Sequence, residues 1–326
     1  MDEPLLLVAD VGGTNTRVAL AQGKKVRKDT IRRYSNRDFA DLAPVLRRFR
    51  EDQGGPAPVA ACVAVAGPVG DGRAELTNLA WSIDTARLIA ATDAPRGAIL
   101  NDLQAQGHAL GDLAPDAAIP VVEGPVQEFG ARLVIGVGTG FNAAPVHSVG
   151  PDRIVPAGEA GHANLPIRTE AELRLCGFLS TAHGFAAVED VLSGRGLEEV
   201  YRWLASEAGS TDVLRAPDIM ARVDDDPRAR AAVQLFVRIL GRVAGNLALI
   251  HLPLGGIFLV GGVARAMAPH LGTMGFGDAF RDKGRFAGFM HNFAVTLITD
   301  DFAALTGCAA HLLRAFRESP AVAPSA

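Results

Sequence analysis

Leu5-Leu6-Leu7-Val8-Ala9-Asp10-Val11-Gly12-Gly13-Thr14-Asn15-Thr16-Arg17 is the stretch on which the fold turns. Leu5–Val11 is apolar except for Asp10, and it ends at two glycines. Strand-like residues resume over Arg17–Ala21. The pattern predicts a β-hairpin with its turn at Gly12 to Thr16. Glycine lets a backbone bend tightly and lets N–H groups approach an anion with no Cβ in the way. Asp10 lies beside that turn, where it would repel a phosphate unless a cation lay between them. Mg²⁺, bound directly or through water, is the natural third party. The same carboxylate could equally cap its own turn.

Farther along, Val59–Ala66 reads as a buried strand. Gly97–Leu100 reads as another, leading into Asn101-Asp102 and the helix-friendly Leu103–Leu110. Leu133–Val137 is a further apolar run, ending at Gly138-Thr139-Gly140. Val8–Gly12 and Val134–Gly138 share the pattern V-x-x-V-G, which suggests an internal duplication. Leu235, Ile239, Val243, Leu247 and Ile250 mark one face of a long amphipathic helix. Ile257–Val260 is then a strand running into Gly261-Gly262. The Pro-containing loop Gly111–Pro125 is the expected crossing between domains, and Phe302–Phe316 is expected to return to the first. The expected division is a small α/β domain over 1–112, completed by 303–326, and a large α/β domain over 113–302.

Three glycine turns after three apolar strands carry more weight than one. Asn101-Asp102, at a strand end, is the best candidate for substrate chemistry, because a carboxylate there can aim a hydroxyl and accept its proton. Asp102 could also simply cap the following helix. Glu159, His162 and Glu189 form a polar set suited to the hydroxyls of a sugar. No third ligand at metal spacing accompanies them, so zinc is not expected. Asp224-Asp225-Asp226 resembles a metal cluster, but Asp226 before Pro227 reads better as N-cap and first helical residue. His183 and His251 read as structural or surface residues.

Composition narrows the class. A net charge of -4, with no long Lys/Arg run, argues against nucleic acid as a partner. The length of 326 residues predicts two domains. Cys62, Cys176 and Cys308 are widely spaced and odd in number, which fits a reducing compartment rather than a disulfide framework. The Met-Asp-Glu start has no basic n-region, and the apolar stretch near Leu252–Val263 is broken by Pro253, Gly255 and Gly256. A cytoplasmic protein without a membrane partner is the expectation.

Together these segments resemble the bacterial glucokinase family, which has an α/β, two-domain actin-like ATPase (ribonuclease H-like) fold with an active-site cleft between domains. Asp10–Arg17 resembles its first phosphate motif, and Gly138-Thr139-Gly140 its second. Ala66-Gly67-Pro68-Val69 with Thr77-Asn78-Leu79-Ala80-Trp81 resembles its segment beside the sugar. Leu100-Asn101-Asp102 is similar to its catalytic strand end, and Gly261-Gly262-Val263 to its adenosine-side turn. Glu159-Ala160-Gly161-His162 and Glu189–Gly194 resemble its other sugar contacts. The matches run in family order from residue 5 to about residue 310.

The resemblance implies a glucokinase that uses ATP and Mg²⁺. Asp102 would be the base for the 6-hydroxyl of glucose, with Asn78, Asn101, Glu159, His162 and Glu189 binding the sugar. Asp10 would position Mg²⁺. Gly12, Gly13, Thr14, Asn15, Gly138, Thr139, Gly140, Gly261 and Gly262 would line the nucleotide site. A homodimer is also implied. Two departures stand out. Phe141-Asn142 follows the second phosphate turn, where the family usually has Leu-Gly, and Asn is the residue that best tolerates a left-handed backbone after glycine. Ala163–Cys176 holds one cysteine, which disfavours the related zinc-bearing repressor/kinase group.

Kinases of mannose or an N-acetylated hexosamine remain open, since the 2-substituent is read by fine geometry. A DNA-binding sugar sensor would need a helix-turn-helix, for which a strand starting by Leu5 leaves no room. A filament-forming actin relative would have no use for Glu159, His162 and Glu189.

Overall fold

β1 (Leu5–Val11) turns and returns as β2 (Asn15–Gln22), with Asp10 opposite Arg17 and Val11 opposite Thr16. This is the hairpin the glycines predict, tightened by Gly12 N–H donating to Asn15 O at 3.0 Å. The computed structural model describes residues 3–76, 79–114, 117–150 and 152–318. In chain order there follow β3 (Lys25–Val26), β4 (Arg32–Ser35), α1 (Leu42–Gln53), β5 (Ala60–Val65), β6 (Val69–Gly70), β7 (Arg73–Glu75), β8 (Ser82–Asp84), α2 (Thr85–Thr92), β9 (Gly97–Asn101) and α3 (Asp102–Ala109). Next come β10 (Ala118–Val122), β11 (Arg132–Val137), β12 (Phe141–Val149), β13 (Asp152–Ile154), α4 (Glu170–His183), α5 (Gly194–Glu207), α6 (Ala216–Ala221) and α7 (Pro227–His251). β14 (Ile257–Val260), α8 (Gly262–Leu271), α9 (Phe276–Arg281), β15 (Val295–Ile298) and α10 (Ala303–Glu318) complete the set.

The chain divides into two units. The first gathers Met1–Ala114, Val149–Ala157 and Asp300–Ala326, and the second Pro115–Ser148 and Gly158–Thr299.

In the first unit the main sheet runs β3-β2-β1-β5-β9, with β4 also on β2. β1, β5 and β9 are parallel. Successive strand residues face opposite ways. Leu6 and Val8 therefore pack with Ala105 of α3 and Leu305, Cys308 and Leu312 of α10. Leu7, Ala9 and Val11 pack with Val45, Leu46 and Phe49 of α1 and Leu88 of α2. A strand covered on both faces must be apolar throughout, which explains why the run shows no alternation.

In the second unit the sheet order is β10-β15-β14-β11-β12. β11 is antiparallel to β12 and parallel to β14, and β14 is parallel to β15. This repeats the arrangement of β1 against β2, β5 and β9. The V-x-x-V-G duplication is thus a duplication of topology, with Gly12 and Gly138 each following the first strand of a hairpin.

α7 is the long helix the periodicity predicts; of the predicted face Ile239 and Val243 are buried, but the core stripe extends beyond it. Val233, Phe236, Val237, Leu240, Ala244 and Ala248 are buried, whereas Leu235 and Leu247 are half-buried and Ile250 is 70% exposed. The helix packs against α5 and α9, so its buried stripe is broader than one helical face. Ile250 lies in its last turn, beyond that packing. The helix start agrees with the sequence: Asp226 accepts from Arg228 N–H at 2.8 Å, and Pro227 opens the helix. By length and composition α7 could cross a membrane, and 61% of its apolar window is buried inside the protein.

Candidate active site

The first unit places its candidates along one sheet edge. β1, β5 and β9 are parallel, so their C-terminal ends share that edge. Cα register pairs Val11 with Val65 and Val65 with Asn101. Two strand spacings therefore separate Val11 from Asn101, about 10 Å. The three strand ends carry Asp10-Val11-Gly12, Ala66-Gly67 and Asn101-Asp102. The outer ends of parallel strands are the common ligand sites of open α/β sheets.

Asp10 is partly buried at the end of β1, with Arg17 Nη1 3.3 Å from its Oδ2. Burial raises its carboxyl pKa, and the Arg17 charge and hydrogen bond oppose that rise. Gly13 and Thr14 are exposed, and Gly12 and Asn15 partly so. The turn rests on a residue whose sequence context offers no reason to choose it. Asn36 is 3% exposed. Its Nδ2 donates to Gly12 O at 2.7 Å, its backbone N–H to Thr14 O at 2.9 Å, and its Oδ1 accepts from Thr16 Oγ1 at 2.8 Å. In sequence Asn36 lies in the polar stretch Arg32–Asp38, which reads as ordinary surface.

At β9 the cap is Asn101, not Asp102. Asn101 Oδ1 accepts from Leu103 N–H at 2.9 Å, and Gln104 Oε1 accepts from Asn101 N–H at 3.1 Å, forming a capping box. Asn101 Nδ2 donates to Gly67 O at 3.1 Å, tying the β9 end to the segment after β5. Asp102 is the first helical residue, where a negative charge suits the helix dipole, and its Oδ1 accepts from Leu103 N–H at 2.7 Å. Asn78 lies outside the described residues.

The second unit gathers its candidates around the β11–β12 turn. Gly138 N–H donates to Gly140 O at 2.9 Å, and Gly194 N–H, opening α5, donates to Gly138 O at 3.0 Å. A Cβ on Gly194 would lie 3.8 Å from Gly138 O and 3.8 Å from Val263 in α8. The starts of two helices thus meet the turn, and exposed helix N-termini favour phosphate. Gly261, before α8, has φ +104°, and a Cβ there would run into Val137 O. It is the only one of the six candidate glycines with positive φ. Gly138 and Gly262 need no special φ and have open space at the Cβ position. Of the two uses of glycine expected from the sequence, bending and leaving room, Gly138 and Gly262 fit the second.

Gly140 serves a different purpose. Any Cβ there would strike Glu189 Oε2, which accepts from Phe141 N–H at 2.8 Å. Glu189 Oε1 lies 3.9 Å from Arg195. Glu189 N–H donates to Gly161 O at 2.9 Å, which binds the segment of Glu159 and His162 to the same turn. Glu159 precedes and His162 ends a single 3₁₀ turn, with their side chains largely exposed and His162 Nε2 4.0 Å from Glu159 Oε2. Asn142 reaches this segment as well, with Nδ2 2.6 Å from Gly158 O. Among the described residues no group of three His, Cys, Asp or Glu could hold a metal ion.

Fold and site together define a two-domain sugar kinase of the actin-like ATPase fold. The sequence model of the family described as Glucokinase matches residues 7–315. A glucokinase of Saccharophagus degradans is 33% identical over 312 residues, covering 94% of this chain and 97% of that one. The crystal structure of a glucokinase from an Antarctic psychrotroph superposes with a TM-score of 0.84 at 31% identity, covering 95% of this chain and 99% of that one. A ROK family glucokinase from Streptomyces griseus, solved in complex with glucose and AMPPNP, shares the fold with a TM-score of 0.61 at 18% identity, covering 95% and 99%. The chain belongs to the glucokinase family.

Proposed function

We infer that this chain transfers the γ-phosphoryl group of ATP to the 6-hydroxyl of glucose, giving glucose 6-phosphate and ADP. The observation that carries the reading is the shared strand edge, with a phosphate-type turn at the end of β1 and a carboxylate two strands away at the end of β9. The fold relative that holds glucose and AMPPNP supports the same pair of substrates.

Asp102 takes the proton of the 6-hydroxyl as its oxygen attacks the γ-phosphorus. The bond from that phosphorus to the β,γ-bridging oxygen breaks, and ADP leaves with the electron pair. Little covalent work falls to the chain, so positioning and charge stabilisation dominate. Glu159, His162 and Glu189 bind ring hydroxyls, and Asn101 fixes the strand end from which Asp102 projects. Thr139, with the other turn residues and the two helix starts, receives the nucleotide.

Mg²⁺ fits Asp10. Burial raises the pKa of that carboxyl despite Arg17, so further positive charge beside it is favourable. Mg²⁺ keeps several waters and takes phosphate oxygens, so one hard carboxylate is enough from the chain. When bound, it neutralises charge on the transferring phosphates.

The test is ADP release with ATP and Mg²⁺ over a panel of glucose, mannose and N-acetylglucosamine. Glucose is expected to give the highest kcat/KM. Preference for another hexose, or release that needs no sugar, would overturn the reading.

A further inference from the structure

Glu159 opens the 3₁₀ turn Ala160–His162 as its N-cap residue, yet its side chain makes no capping bond. The capping comes from a different strand. Asn142, on β12, accepts from Ala160 N–H through Oδ1 at 3.0 Å. The same oxygen accepts from Ala143 N–H at 2.8 Å, which fixes the side-chain amide on its own backbone. Its Nδ2 donates to Gly158 O at 2.6 Å and points at Glu159 Oε2 at 3.4 Å. One amide therefore holds the backbone group before Glu159, the backbone group after it, and its carboxylate.

The chemistry needs an amide. Two acceptors, a carbonyl and a carboxylate oxygen, face the NH₂, and two N–H donors face the oxygen. An aspartate would match the donors and repel the acceptors. A glycine would remove the side-chain partner of all four groups. Because Asn142 supplies the cap, the Glu159 carboxylate stays 61% exposed instead of folding back on its own turn.

We propose that Asn142 is a positioning residue for sugar binding: it presents the Glu159 carboxylate to a hexose hydroxyl. The proposal rests on the hexose-kinase reading of the site. The hydrogen bonds of the Asn142 side chain go to the Glu159 segment and to Ala143, and the phosphate turn lies on the other side of Phe141. Loss of Asn142 therefore affects sugar affinity, not the chemical step or the nucleotide.

The experiment compares wild type with Asn142→Gly and Asn142→Asp. Hydrogen–deuterium exchange over 158–162 reads the clamp without any activity. Steady-state kinetics read KM for glucose, KM for ATP and kcat. Losing about one net hydrogen bond of ordering should raise the glucose KM by ~10-fold in Asn142→Gly. Asn142→Asp should raise it at least as much, because it adds like-charge repulsion to Glu159. ATP KM and kcat should stay within about threefold of wild type, the pattern of lost uniform binding. Exchange at Ala160 N–H should rise in Asn142→Gly.

Faster exchange with an unchanged glucose KM overturns the proposal. So does a joint rise of both KM values with a lower melting temperature, which marks a structural residue. A wild-type control that phosphorylates no hexose refutes the function reading itself, and with it the sugar role of Asn142.

Discussion

Phe141 N–H donates to Glu189 Oε2 at 2.8 Å, across a turn in which Gly140 leaves the space that carboxylate occupies. Glu189 is proposed to bind the sugar, and the backbone beside the turn proposed for phosphate holds it. Gly140→Ala should displace the carboxylate and break this bond, at a stability cost of about 1 kcal/mol. Glucose affinity should fall by calorimetry while the circular dichroism spectrum is unchanged. Wild-type glucose affinity in Gly140→Ala would show that Glu189 does not bind the sugar.

Asp102 is proposed as the general base. Asn101 makes the cap, so the Asp102 carboxylate is not needed for that purpose. Asp102→Asn keeps the shape and removes the basicity. Its kcat should fall by ~10²–10⁴-fold, the usual effect of losing a general base. Glucose binding should survive, since an amide still bonds the hydroxyl. A folded variant retaining more than about a tenth of wild-type kcat would exclude the role.

Asp10→Asn should act on the metal side alone. The Mg²⁺ concentration for half-maximal rate should rise and turnover should drop, with glucose binding near wild type. The amide keeps an acceptor for Arg17, so the β1–β2 pairing should hold. Equal loss of glucose binding and turnover would assign Asp10 to folding instead.

A pH prediction comes from α3 and α10. His108 is 5% exposed, with Nε2 3.3 Å from His311 Nδ1. Burial first, then the charges of His311, Arg314 and Arg153, pushes its pKa down to about 3. The unfolded chain binds this proton near pH 6.5 and the native state does not. Stability from neutral His108 is therefore full above pH 6.5 and is lost as pH falls from 6.5 towards about 3. The slope should approach 1.4 kcal/mol per pH unit, about one proton. Urea melts at pH 7.5, 6 and 5 measure it, and His108→Gln should flatten it. Equal slopes in both proteins would contradict the assignment.

Local chemistry made much of this protein legible. Glycines after apolar runs marked the β1–β2 hairpin and the turn after β11, because a residue without Cβ lets the chain reverse tightly at a strand end. Asp226-Pro227 gave the start of α7, because a cap and a fixed φ are properties of two neighbouring residues. The repeat V-x-x-V-G marked two sheets with the same strand arrangement, since each copy builds the same hairpin.

What tertiary structure alone decided is how polar groups are paired over long sequence distances. Nothing near Asn36 in the sequence shows that it supports the Gly12 turn, because its partners lie 20 to 24 residues away. Asn142 looked like a variation in a phosphate turn, but its amide faces Gly158 and Ala160, which only the return of the chain brings beside β12. Asn101 rather than Asp102 became the cap because the end of β9 places the first of the two at the helix boundary. The buried face of α7 was likewise set by its neighbours: periodicity reports which residues are apolar, but the helices packed around α7 determine which of them lose contact with water.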